Sequence, residues 1–141
     1  MDEAIRLELT AMVSALDESQ DFSEFGTTYK LRGSAYVSLG EYERAILDFD
    51  EAIRLNGADG DAYAKRGNTY AQAGEFRKAV ADYDEVVRLN PQYAPVYANR
   101  ASAHTILGND EPARRDVEQA VALGIDRSSL EERVAALRNQ R

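Results

Sequence analysis

The sequence predicts an all-α fold, a solenoid of stacked helix pairs with one further helix at each end. Three observations carry this. One pattern recurs at steps of 34 residues: Gly33, Gly67 and Ala101; Tyr29, Tyr63 and Tyr97; Gly40, Gly74 and Gly108; Ala45, Ala79 and Ala113; Leu55, Leu89 and Leu123. That step is the period of a two-helix repeat. Within a repeat, the packing residues fall three and four apart (Tyr63, Gly67, Tyr70, Ala71), and the pattern restarts after Gly74 with Ala79, Tyr83, Val86 and Val87. Finally, 141 residues with 44% hydrophobic and 30% charged side chains suit one packed domain rather than a disordered chain.

Residues 1–25 come first. Ile5, Leu9, Met12, Val13 and Leu16 mark an amphipathic helix outside the repeat pattern. Asp2, Glu3, Glu8, Asp17, Glu18, Asp21 and Glu24 stand against Arg6 alone, so the segment is acidic. The expected role is a cap over the open end of the first repeat. The alternative is an occupant of a groove, its own or a neighbour's.

Three repeats follow at 26–59, 60–93 and 94–127, each two helices with a tight turn between them. Gly40, Gly74 and Gly108 sit where a helix end needs a left-handed residue. Pro91 separates the second repeat from the third, whereas Pro95 and Pro112 fall in first turns, where a missing N–H leaves no intrahelical bond unmade. Gly33 and Gly67 are expected to let the paired helix backbones approach, with Tyr29, Tyr36, Phe49 and their equivalents filling the surroundings. Residues 128–141 close the chain. Ser128-Ser129-Leu130-Glu131 has the form of a capping box, and Leu130, Val134 and Leu137 give the helix after it one apolar stripe.

The residues Tyr63, Gly67, Tyr70, Gly74, Phe76, Ala79, Tyr83, Val86, Leu89 and Pro91, at their spacing, resemble the tetratricopeptide repeat. The resemblance covers roughly 26–127. The third repeat departs most, with His104 for the second tyrosine, Asp110 for an aromatic and Ile125 for the terminal proline. It implies a short right-handed α-α superhelix that binds another protein segment in its concave face.

Arg32, Arg66 and Arg100 recur in the first helices, and Asp48, Asp82 and Asp116 follow them by 16 residues in the second. The helical wheel puts each arginine on the tyrosine side, so a ladder of partly buried ion pairs is expected rather than an anion grip. The side opposite the tyrosines is mostly small or polar and forms the candidate groove. Lys30, Lys65, Asn68, Gln72, Asn99 and Ser102 are its expected peptide contacts, since amides can satisfy a peptide backbone. With the arginines in the ladder, Lys30 and Lys65 against Asp61 leave a mild positive bias, which suits an acidic or C-terminal ligand. Some members of the family hold the terminal carboxylate of chaperone tails with Lys, Asn and Arg. Aligned from the first repeat, only Lys30 falls on a matching position. Shifted by one repeat, Asn68, Asn99 and Arg133 match, while Ala64 and Ser129 stand where lysines are expected. The clamp is incomplete, and the resemblance does not extend to a chaperone co-factor.

No enzyme is expected. His104, the only histidine, has no nucleophile spaced to join it, and its expected place is a packed or half-packed one. Asp59-Gly60-Asp61 lacks the later glycine and acid of a calcium loop. With no cysteine, no metal cluster and no phosphate-cradling loop, neither metal nor cofactor is expected. Seventeen basic against twenty-five acidic side chains give a net charge of −8, which disfavours nucleic acid and anionic membrane. The start of the chain shows no secretory leader, and no stretch approaches the roughly 18 apolar residues of a span, so a cytoplasmic location is the default. Two functions remain: a peptide-binding module, monomeric or weakly self-associating, and a scaffold that assembles copies through its terminal helices or groove.

Overall fold

A computed structural model describes residues 3–17 and 25–141, with the side chains of 16 and 17 outside that description. Within it the chain is all-helical: α1 (Glu3–Asp17), α2 (Phe25–Leu39), α3 (Tyr42–Leu55), α4 (Gly60–Gln72), α5 (Phe76–Leu89), α6 (Ala94–Ile106), α7 (Asp110–Ala122) and α8 (Arg127–Arg138). Helices α2 and α3, α4 and α5, and α6 and α7 pack as antiparallel pairs. Gly40, Gly74 and Gly108 turn the chain between them at φ of 77°, 81° and 79°. An L side chain is strained there, so glycine is a requirement of the turn.

Successive pairs stack unevenly. The first helices touch one another along the series α2, α4, α6 and α8, whereas α3, α5 and α7 do not meet. A stack that closes on one side and splays on the other is curved, with its concave face on the first helices.

The glycines act differently from the expectation of close backbone contact. A Cβ on Gly33 would lie 2.8 Å from the Phe49 ring, and one on Gly67 would lie 2.9 Å from the Tyr83 ring. The space is taken by an aromatic side chain of the second helix. In the third repeat Val117 stands in place of that aromatic, and its partner is Ala101, fully buried. The pairs Gly–Phe, Gly–Tyr and Ala–Val therefore conserve volume across the interface, as close packing demands.

The two ends are built differently. Among the described side chains of α1, Val13 is the buried one and packs with Leu9 against Ala35, Tyr36, Ala45 and Phe49, while Ile5 and Leu7 stay exposed. This places α1 over the first pair. At the other end α8 seats Leu130 and Val134 in the larger core formed by α4 to α7. Its N-cap is Asp126, whose carboxylate accepts from the Ser129 N–H at 2.8 Å, not Ser128 as the capping-box reading has it. Aspartate two residues earlier competes for the same orphan donors and adds a negative charge at the helix start. Arg127 then joins Glu118 of α7 through two bonds of 2.8 Å.

Candidate functional site

The ladder removes the arginines from the groove. Arg32 donates from Nε and Nη2 to Asp48 at 2.8 and 2.6 Å, Arg66 to Asp82 at 2.9 and 2.7 Å, and Arg100 to Asp116 at 2.8 and 2.7 Å. Further rungs link successive repeats. Arg66 Nη1 donates to Asp50 at 2.6 Å, and Arg100 Nη1 to Asp84 at 2.8 Å. Asp48, Asp82 and Asp116 are buried, so each planar guanidinium fork satisfies charges that would otherwise be costly. The hydrogen bonds that Arg66 donates to Asp82 raise its already high pKa and keep it charged throughout the ordinary range.

On the concave side, four of the six expected contacts converge. Asn68 and Gln72 of α4 and Asn99 and Ser102 of α6 line one cavity of about 380 Å³, together with Phe76 and Tyr83 of α5 and Arg133 and Leu137 of α8. Asn68 Oδ1 accepts from the Tyr83 hydroxyl at 2.8 Å and from Asn99 Nδ2 at 3.2 Å. Burial pushes the Tyr83 hydroxyl far above its ordinary pKa, so it stays a donor and fixes how the amide points. The Asn68 NH2 and the Asn99 carbonyl oxygen have no partner among the described residues. One donor and one acceptor side by side match the edge of a peptide group. Ser102 donates to Ala98 O at 3.1 Å within its own helix and keeps acceptor capacity.

Lys30 and Lys65 do not join this cluster. Lys30 lies in a separate depression beside Phe25, Asn56 and Asp59 and pairs with Asp59 at 2.9 Å and Asp61 at 3.2 Å. Burial alone would lower its pKa, but the hydrogen bonds it donates to the two carboxylates outweigh that and raise it. Lys65 stands 4.0 Å from Asp61 and borders neither the Asn68 cavity nor the depression beside Lys30. The positive bias assigned to these lysines is therefore cancelled by Asp59 and Asp61. Asp59 is also the N-cap of α4, accepting from the Ala62 N–H at 3.0 Å, which is why an acid stands there.

The cation that the groove does present is Arg133. It lies 34 residues after Asn99, on the helix that continues the series of first helices. One Nη2 donates to Ala98 O at 2.7 Å, and the side chain borders both the Asn68 cavity and a second of about 260 Å³ beside Pro95, Ile125 and Leu130. Its remaining donors face a part-apolar groove. Among the described residues no cluster of His, Cys, Asp and Glu is placed to hold a metal, and no helix is long and apolar enough to cross a membrane.

With this geometry in view, the family assignments follow. A model described as "TPR repeat" matches residues 33–74, and one described as "Tetratricopeptide repeat" matches 60–93. No curated protein sequence matches the chain. Several solved structures share the fold. The crystal structure of MamA is 26% identical with a TM-score of 0.75, covering 79% of this chain. This chain spans 66% of that MamA chain, just under two thirds. The second TPR domain of human RPAP3, solved in complex with the HSP70 peptide SGPTIEEVD, is 26% identical with a TM-score of 0.74 over 80% of this chain and 94% of its own. The second TPR of Spaghetti (RPAP3), bound to the HSP90 peptide SRMEEVD, is 28% identical with a TM-score of 0.68 over 78% of this chain and 98% of its own.

Proposed function

From a chain whose residues 33–93 are tetratricopeptide repeats within a solenoid of that type, we propose a non-catalytic recognition module that binds a polypeptide segment along its concave face. The observation that carries this is the half-used amide pair of Asn68 and Asn99 beside Arg133. Asn68, Gln72, Asn99 and Ser102 meet the backbone of the guest, and Arg133 meets a carboxylate. Lys65 adds charge at the rim, and Lys30 contributes once a ligand draws Asp59 and Asp61 away from it. The binding unit is 26–127, with 1–25 and 128–141 flanking it. Similar domains that hold peptides ending in EEVD support an acidic or C-terminal ligand. Ala64 and Ser129 in place of two lysines argue for a ligand other than that chaperone tail. With three repeats and Arg133 as the cation beside the amide pair, a Kd of roughly 1–100 μM is expected, because ordering an extended guest offsets much of the contact energy.

A displayed peptide library tests this, selected in parallel on the protein and on Asn68→Ala/Asn99→Ala. Sequences rich in Asp or Glu that are enriched by the first and lost by the second support the groove. Sequences enriched equally by both would put the site elsewhere. A second reading, assembly of copies, draws on α1, where Ile5 and Leu7 are 50% and 65% exposed. Sedimentation across a concentration series tests it, since a binding module of the proposed kind keeps the 15.7 kDa mass of one chain.

A further inference from the structure

The outer face holds a further cavity, at the place where the third repeat lacks a tyrosine. In the first two repeats each ladder arginine lies between two rings. Arg32 is 5.6 Å from Tyr29 and 5.9 Å from Tyr36, and Arg66 is 5.6 Å from Tyr63 and 5.8 Å from Tyr70. The outer ring is covered in turn by a base from the next helix. Arg44 sits 4.2 Å over Tyr36 and donates to its hydroxyl at 2.6 Å, and Lys78 sits 5.4 Å over Tyr70. Arg100 keeps the inner ring, Tyr97 at 5.6 Å. At the outer position the 34-residue step gives His104, and where Arg44 and Lys78 stand it gives Pro112. The imidazole is shorter than a phenol, and proline carries no donor.

A cavity of about 630 Å³ opens there, bordered by Tyr97, Arg100, His104, Pro112, Arg115 and Gln119. Its charges are largely met within the protein. Arg100 is committed to Asp84 and Asp116, so the pocket is not built to draw in an anion. Arg115 differs: one turn beyond Pro112 on α7, it is exposed and has no hydrogen-bond or ion-pair partner among the described residues. The vacant ring position, an arginine plane to stack on and a spare donor are together the requirements of a phenol.

We propose that this cavity binds a tyrosine side chain of a partner polypeptide. The ring stacks over Arg100 as Tyr36 and Tyr70 do over Arg32 and Arg66, and its hydroxyl accepts from Arg115. The site lies on the opposite side of α6 from the Asn99 groove, so it does not depend on what that groove binds.

N-acetyl-tyrosinamide is the probe, with N-acetyl-leucinamide and inorganic phosphate as comparisons. His104 is the only histidine, so its ring protons give isolated NMR signals, and the amides of Arg115 and Gln119 report alongside. The tyrosine probe should move the His104 signals upfield and saturate, and the leucine probe should bind more weakly by about fivefold, the loss of one cation–π contact at a part-exposed site. His104→Tyr fills the cavity with the protein's own ring and should abolish the amide shifts without lowering Tm. Arg115→Ala, at an exposed position that folding does not need, should weaken the tyrosine probe severalfold and leave N-acetyl-phenylalaninamide unchanged. Shifts that fail to saturate, match those of leucine, are reproduced by phosphate, or persist in His104→Tyr would overturn the assignment.

Discussion

Arg66 and Asn68 stand two residues apart on α4 and have opposite duties. Every donor group of Arg66 is engaged, two nitrogens on Asp82 and one on Asp50. Asn68 has its oxygen doubly engaged and its NH2 unspent. The wheel separates them by about 200°, so one points between the paired helices and the other into the concavity. The contrast shows how a repeat of this size divides its polar residues. The ladder groups that face protein are saturated, because an unsatisfied one is costly there. A group facing the groove is held by one atom and left free at another, which on the proposed reading orients it for a guest at little conformational cost.

Breaking the saturated side should have the largest effect. Asp82→Ala strands the Arg66 guanidinium beside Asp50 alone and should cost about 3 kcal/mol, toward the low end for a broken buried pair. In a melt that is a fall on the order of 10 °C. Asp50→Ala removes a carboxylate whose side chain is 43% exposed, and its cost should stay below about 1 kcal/mol. Equal falls for the two variants would show that the within-repeat and between-repeat rungs are not distinct. Next in size is Gly67→Ala, whose new methyl meets Tyr83 and should cost about 1–3 kcal/mol by overpacking. Adding Tyr83→Val copies the Ala101 and Val117 pair. The double variant should be more stable than the sum of the two single losses predicts, and strict additivity in denaturant melts would reject the volume exchange.

This volume exchange also shows what the sequence alone conveys. The 34-residue step made the helix pairs, their turns and the Arg–Asp spacing of 16 legible, because each depends on one repeat. What depends on the stacking of repeats was not. Nothing within a single repeat marks Asp50 and Asp84, whose partners lie in the next repeat. Asp59 lies between helices, off any helical wheel, yet it pairs with Lys30 from the preceding helix pair. Arg133 was visible only by carrying the repeat step past the last full repeat to α8. Asn68, Gln72, Asn99 and Ser102, expected on one wheel face, line one cavity. Lys30 and Lys65 share that face too, but a wheel does not report neighbouring carboxylates.

On the unsaturated side, Asn68→Ala should leave Tm within about 2 °C, since the half-buried amide bonds chiefly to Tyr83 and Asn99. Its effect belongs to binding: a loss of about tenfold in affinity for a groove peptide, or about 1.4 kcal/mol, read by anisotropy. Tyr83→Phe sharpens the point, because it keeps the ring beside Gly67 and removes only the hydroxyl that orients Asn68. It should weaken peptide binding more than it lowers Tm. The reverse order would mean that the hydroxyl serves the core rather than the groove.

The smallest expected effect is a pH dependence at the point where the third repeat departs from the others. Burial pushes the His104 pKa below its ordinary value, with Arg100 and Arg115 opposing its protonation and Asp84 and Asp116 favouring it. A histidine depressed in the folded state contributes stability above its unfolded pKa of about 6.5, and that contribution is lost as pH falls through the interval down to the folded value. Stability should therefore decline modestly from pH 7 to pH 5. In His104→Tyr that part of the decline should vanish, because a tyrosine does not titrate there, while the carboxylate-driven loss at lower pH remains. Chemical denaturation at half-unit pH steps separates the two. A profile identical in both proteins between pH 7 and 5 would mean that His104 titrates alike folded and unfolded, and that its ring is open to water rather than shielded by α6 and α7.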